Sequence, residues 1–336
     1  MQVLVTGGAG YIGSFAVRAL REAGHGVLVV DDLSRGHRES VPAGVRLVEL
    51  SCHDTDAVAE LMTRESVEAV LHFAALSLVP ESVREPGLYW SHNVGGGARL
   101  LEACRRAGVG RFVFSSSAAV YGEPEHVPIT EEHPLRPTNP YGATKRAFEE
   151  MLGHFAVSAG IASVALRYFN AAGAMPDGSL GEDHEPETHL VPLAIAAAAG
   201  RRPALTVFGE DYSTPDGTCL RDYVHVIDLA RAHVLALDWM DANPGQGAVF
   251  NLGASRATSV REVIETVATV IGRDVPHLVG ERREGDPAVL VASNERARAE
   301  LRWIPERSDI MTIVRDAWSW HRAHPHGYAG PGSSAN

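Results

Sequence analysis

The sequence predicts an α/β fold: a doubly wound, mainly parallel sheet followed by a smaller C-terminal α/β domain. Three observations carry this. Short β-rich runs alternate with helical stretches through the first half of the chain. A glycine cluster follows the first run almost at once, as at the turn of a βαβ unit. Beyond residue 170 the alternation gives way to a stretch rich in Gly, Pro and acids, and then to shorter elements.

Taken in order, residues 3–5 read as the first strand, followed by a helix ending near Gly24 and a second strand at 25–30. Further strands are expected at 45–50, 69–73, 111–115 and 162–167, with helices at 55–64 and 93–107 between them. Residues 1–170 are therefore expected to form one domain around the parallel sheet. Residues 171–189 read as a long functional loop. A helix at 190–200, a strand at 204–208 and a loop at 209–219 open a smaller domain that spans 171–329. Within that span, about 221–255 is expected to rejoin the main sheet through a helix at 228–239 and a strand at 249–252. Residues 330–336 are small and polar and read as a flexible tail.

Composition sets the class. The chain has 336 residues, 45% of them hydrophobic, and a net charge of −12 without a basic tract, which argues against nucleic acid as a partner. Nothing approaches a membrane span and no signal-peptide pattern opens the chain. Cys52, Cys104 and Cys219 are odd in number and lack CxxC spacing, so no disulfide framework or zinc site is expected from them. The expectation is a soluble cytoplasmic enzyme. One further fact stands out: Lys145 is the only lysine, so the chain fills its general positive-charge roles with arginine.

The opening MQVLVTGGAGYIGS carries the first chemistry. Gly7, Gly8, Gly10 and Gly13 fit GxxGxxG or GxGxxG, with a strand before, a helix after and a second strand ending in acid. This is the fingerprint of a Rossmann-type dinucleotide site. Glycines let the backbone approach a pyrophosphate at the helix N-terminus, beside Tyr11 and Ile12. Asp31 lies eighteen positions after Gly13, where a partner for a ribose 2′-hydroxyl belongs. Asp31 and Asp32 together would repel a 2′-phosphate, which favours NAD; Arg35 and Arg38 pull the other way.

The second chemical feature lies at RFVFSSS (111–117), which delivers serines to the sheet edge where ligands bind in open α/β folds. In NPYGATKRAFEE, Tyr141 and Lys145 stand at i and i+4 on one helical face. A phenol is a poor base at neutral pH, and a neighbouring ammonium and a nicotinamide cation would lower its pKa. Ser117 could hold a substrate hydroxyl and pass its proton to Tyr141.

Gly7-x-x-Gly10-x-x-Gly13, Ser117 and Tyr141-x-x-x-Lys145 resemble the extended short-chain dehydrogenase/reductase superfamily. SSSAAVYG, LRYFNAAGA, HLVPLA, FGEDYSTPDGTCLRDYVHV and ERREGDPA resemble, in order, the UDP-galactose 4-epimerase family within it. The resemblance implies NAD-dependent interconversion of UDP-galactose and UDP-glucose. Hydride leaves sugar C4, a 4-keto sugar turns over in the pocket, and hydride returns to the opposite face. NAD+ is implied to be tightly bound and not consumed, with Phe73, Ala74, Ala75, Asn93 and Tyr168 beside the glycine turn, Asp31, Asp32, Tyr141 and Lys145 in holding it. A homodimer is also implied.

For the UDP-sugar, the resemblance assigns Arg221 and Arg283 to the diphosphate, Phe208 to uracil, Asn170 to phosphate and Asp286 to ribose. His189, Leu190, Leu290, Ser117 and Tyr141 are assigned to the sugar side. The chain departs from the best-known members at Ala119, where many carry Thr, at Ser77, and at Ser51-Cys52. His189 stands where Asn is common, and Leu290 where size governs entry of N-acetylated sugars. Another UDP-sugar, an N-acetylhexosamine or a pentose, remains an alternative substrate. A dehydratase would need an Asp-Glu pair where Ser117-Ala118-Ala119 stands, and a non-catalytic NAD sensor has no use for Ser117, Tyr141 and Lys145 together. No metal is expected: the tail histidines His321, His324 and His326 have no acidic or Cys ligand beside them in sequence, and the family chemistry needs none.

Overall fold

Seven strands form one parallel sheet in the computed structural model, which describes residues 1–283 and 285–328. The residues expected to form a flexible tail, 330–336, lie outside the described residues. The strands are β1 (Gln2–Thr6), β2 (Gly26–Asp31), β3 (Arg46–Glu49), β4 (Ala69–His72), β5 (Arg111–Ser117), β6 (Ala162–Tyr168) and a last one, Ala248–Leu252. Their order across the sheet is Ala248–Leu252, β6, β5, β4, β1, β2, β3. The strand order reverses at β1, and the crevice beyond the carboxyl ends of β1 and β4 is where such sheets bind ligands.

Period-2 alternation explains the layers. Val3 and Val5 of β1, Val29 of β2, Leu71 of β4 and Val164 and Leu166 of β6 point to one face. There they meet Val17 and Leu20 of α1 (Tyr11–Glu22) and Leu229, Ala236 and Leu237 of the helix Val226–Ala242. Leu4, Val30, Val70, Phe112 and Phe114 point to the other face, against Leu61 of α2 (Thr55–Arg64), Leu100 of the helix Gly97–Ala107 and Phe148 of the helix Pro140–Ala159. Both faces are apolar, so a slip of one residue would exchange two cores rather than expose one.

Three elements differ from the sequence reading. β5 continues through the serines to Ser117, because its ladder with β6 runs on to the pair Ser117 and Tyr168. The helix expected from residue 93 begins as a π-helical turn, Trp90–Gly96, before the α-helix Gly97–Ala107. The expected loop after 170 opens with a short strand, Asn170–Ala172, paired in parallel with Tyr223–His225.

The remaining strands are short. Leu205–Phe208 pairs with His277–Gly280, and Leu220–Arg221 lies between Thr258–Ser259 and Val289–Leu290. A separate apolar cluster unites the helices Leu190–Ala198, Val260–Ile271 and Ile310–Ala323 through Ile195, Val263, Val267 and Ile313. No helix among the described residues is long and apolar enough to cross a membrane.

Candidate active site

The glycine turn is built from close backbone contacts. Gly7 has φ +72°, a left-handed conformation that favours glycine, and a Cβ there would lie 2.5 Å from the Ala74 nitrogen. A Cβ on Gly13 would lie 2.1 Å from the Gly7 oxygen, so α1 could not seat against the turn with any side chain at that position. Gly10 caps α1 with no side chain of its own, leaving the first N–H groups of the helix, around Tyr11 and Ile12, for an anion. This cradle fits the pyrophosphate of a dinucleotide.

Asp31, at the end of β2, is 8% exposed; its carboxylate accepts the Ala9 N–H and the Leu33 N–H, both at 2.9 Å. Burial pushes its pKa up, and these two hydrogen bonds oppose the rise. Asp32 accepts from the amide and hydroxyl of Ser34. Arg35 and Arg38 are engaged by Glu81 (3.0 Å) and Glu49 (2.5 Å), so each guanidinium already has a carboxylate partner. Phe73 and Ala74 are tied to the Thr6 carbonyl just after β4, with Ala75 following. The Asn93 amide group closes a pair of hydrogen bonds with Leu76 and donates to Thr144 on the helix Pro140–Ala159. The side chains of two expected cofactor residues are spent elsewhere: the Tyr11 hydroxyl donates to the Gly173 carbonyl (2.6 Å), and the Tyr168 hydroxyl pairs with His233.

Ser117, Tyr141 and Lys145 come together at the end of β5. Asn139 caps the helix Pro140–Ala159 by accepting the Gly142 N–H at 2.9 Å, and Pro140 occupies its first turn. That start places Tyr141 beside Ser117, near enough for the serine to favour the ionised phenol. One turn on, Lys145 is 3% exposed; its Nζ donates to the Ser115 carbonyl at 2.6 Å and lies 5.8 Å from the Tyr141 ring centroid. Burial pushes the Lys145 amine down to about 7, partly offset by Glu149. Burial also raises the Tyr141 phenol, opposed by Ser117. The lowering expected from the ammonium and a nicotinamide cation together is not what sets the phenol here: burial is the leading cause, and it acts upward.

The nucleotide-side residues meet one another. Arg221 donates to Asp286 at 2.5 Å, and the Arg283 guanidinium lies 4.0 Å from the centroid of Phe208. Asn170 extends the strand beside Tyr223, next to the Asp222 carbonyl that its N–H meets at 2.9 Å. Leu290 pairs in register with Arg221 and packs with Ala118, Val120 and Phe169 beside Ser117. Leu190 begins the helix Leu190–Ala198, and the imidazole of His189 before it turns to Glu182.

Sequence reasoning missed a buried polar chain behind the catalytic helix. Arg167, 4% exposed, donates to Glu149 from Nε (3.0 Å) and Nη2 (2.6 Å) and to the Tyr121 hydroxyl (2.8 Å). Tyr121 in turn donates to Asn251 on the last strand of the sheet (2.7 Å), and Ser116 donates to Glu149. A charged residue inside the apolar strand 162–168, with a glutamate four residues after Lys145, was the available signal.

A parallel sheet of this order, with a glycine turn at its strand reversal and a Tyr-x-x-x-Lys helix over its carboxyl edge, defines a Rossmann-type, nicotinamide-dependent enzyme. The chain belongs to the NAD dependent epimerase/dehydratase family, whose model matches residues 3–253. It is 52% identical to the UDP-glucose 4-epimerase of Streptomyces lividans over 97% of each chain. Among solved structures it is similar to UDP-glucose 4-epimerase from Brucella ovis in complex with NAD (TM-score 0.91, 47% identity, covering 94% of this chain and 97% of that one). It is also similar to the enzyme from Bifidobacterium longum in complex with NAD+ and UDP (TM-score 0.93, 35% identity, 98% and 100% covered).

Proposed function

We propose that this chain is a UDP-glucose 4-epimerase that interconverts UDP-galactose and UDP-glucose with a tightly held NAD+ that each turnover restores. The observation that carries the reading is the convergence of Ser117, Tyr141 and Lys145 beside the glycine cradle. When bound, NAD+ supplies a reversible hydride acceptor for sugar C4 and a positive ring charge. Tyr141 takes the 4-hydroxyl proton, directly or through Ser117, and returns it when the alcohol re-forms. Lys145, anchored on the Ser115 carbonyl, keeps its positive end toward the phenol and favours its ionised form.

Residues 171–329 form the nucleotide-sugar side in this reading. Arg221 and Arg283 bind the diphosphate as planar forks, Phe208 offers its face to uracil, and Asp286 and Asn170 orient ribose and phosphate. Because Arg221 rests on Asp286 and Arg283 on Phe208, substrate entry exchanges these contacts for new ones. His189, Leu190 and Leu290 bound the sugar space. Leu290, intermediate in size, makes a panel of UDP-sugars with wild type and Leu290→Tyr the test of N-acetyl acceptance. The reading includes a homodimer in the cytoplasm. It is supported by Val83, Leu88 and Trp90, exposed on consecutive turns between residues 79 and 96, and by three cysteines that are all free; light scattering on the purified protein checks the dimer.

The deciding experiment mixes purified protein with UDP-galactose, without added NAD, and follows proton NMR. UDP-glucose should appear with no net change in nicotinamide absorbance. A 4-keto-6-deoxy product, or no reaction even with added NAD, overturns the reading.

A further inference from the structure

We propose that the segment 182–189 is a binding site for one divalent transition-metal ion of the zinc type, with Glu182, His184, Glu187 and His189 as its four protein ligands. The pattern E-x-H-x-x-E-x-H folds these side chains toward one point, so that one donor atom from each lies within 4.8 Å of every other. Nδ1 of His184 stands 3.1 Å from Glu182 Oε1 and 3.9 Å from Glu187 Oε2; Nδ1 of His189 stands 3.9 Å from Glu187 Oε1 and in close contact with Glu182 Oε1. Ligands about 2.0–2.2 Å from a tetrahedral ion are separated from one another by roughly 3.4 Å. The observed separations bracket that value.

The choice of side chains argues in the same direction. Arginine faces the acid in nearly all the other ion pairs of this chain, whereas Glu182 and Glu187 are faced by histidine alone among the described residues. Guanidinium can only neutralise a carboxylate; imidazole can also give a lone pair to a metal. Two nitrogens with two carboxylate oxygens suit zinc and its neighbours, not the all-oxygen shells of calcium or magnesium.

The frame around the cluster is firm. Glu182 is 3% exposed, with its carbonyl held by Trp320 Nε1 at 3.0 Å, and Glu187 Oε1 accepts the N–H groups of Thr188 and His189 at 2.7 and 2.8 Å. Four protein ligands leave no open coordination position, which makes the ion structural, with no part in the hydride or proton transfers. Its place explains what it would hold. Tyr11, at the start of α1, sets its ring edge-on to His184 at 6.0 Å, and His189 caps the helix Leu190–Ala198. The ion would tie the loop after residue 172 to the dinucleotide turn on one side and to the substrate-side helix on the other. The expectation of no metal rested on the tail histidines; the histidines that converge with acids are His184 and His189.

The test titrates ZnCl2 into chelator-stripped, full-length protein by isothermal calorimetry, with thermal unfolding followed in parallel. One ion per chain and a raised melting temperature are expected. His184→Ala/His189→Ala should weaken binding about 100-fold and abolish the thermal shift, while His326→Ala, in the tail, should leave both unchanged. If the double variant does not fold, Glu187→Gln, checked by circular dichroism, decides: at least about tenfold weaker binding is expected. No stoichiometric binding, or binding that these ligand variants leave unchanged, overturns the proposal.

Discussion

The two sides of the cleft are built by opposite means. The cofactor side is backbone: Gly7, Gly10 and Gly13 leave no room for a Cβ or stay bare at a helix start, and Asp31 is locked by two N–H groups. The nucleotide-sugar side is side chain: Arg221, Asp286, Arg283 and Phe208 sit on two- to four-residue strands and the loop after them, and lean on each other. The first arrangement has one conformation available and suits a group that never leaves. The second can trade partners, which suits a ligand that arrives and departs with every turnover.

Substitutions can break or sharpen that contrast. The largest effect belongs between the two sides: Tyr141→Phe should lower kcat by roughly 10²- to 10⁴-fold while calorimetry shows UDP-sugar binding intact. Near-normal turnover would remove Tyr141 from its role. On the rigid side, Gly13→Ala forces a methyl group against the Gly7 carbonyl, so the purified variant should carry little nicotinamide dinucleotide, measured by chromatography of the denatured supernatant. A full complement of cofactor would show that the turn has slack.

Acid should weaken the frame shared by both sides. Burial holds His233 down at about 4 and His72 well below its ordinary value, the latter helped by nearby Lys145. Below about pH 6.5 the unfolded chain binds protons that these folded imidazoles refuse, so stability is full above that pH and is lost as pH falls toward 4. The slope should be up to about 1.4 kcal/mol per pH unit for each histidine. Urea unfolding at pH 7, 6 and 5 measures it, and His233→Gln should flatten the curve; a stability independent of pH in this window removes both histidines from the account. The smallest effect is expected on the adaptable side, where Phe208→Ala should raise KM severalfold with kcat nearly unchanged. A large fall in kcat would mean that uracil stacking is tied to the chemistry.

The same contrast governs what could be read in advance. The seven-stranded sheet was legible because each strand is a short local β-rich run, and the glycine turn because its residues are neighbours in the chain. Tyr141 and Lys145 were legible because a helix fixes the distance across four residues. Arg221, Arg283, Phe208 and Asp286 come from separate segments, so only the resemblance singled them out, and their mutual pairing had no local sign. Asn170–Ala172 was read as loop because a three-residue strand is too short to show a period. The Glu149–Arg167 link and the 182–189 cluster depend on the tertiary fold, although a charged residue in an apolar strand and an E-x-H-x-x-E-x-H spacing were both visible.

Lys145 has one more consequence. It is the only lysine and lies under the surface, so the folded chain offers amine reagents no accessible lysine side chain. A succinimidyl dye should leave Lys145 unlabelled in the native protein and attach to it after denaturation, read by peptide mass spectrometry. Label on that one lysine therefore counts unfolded chains.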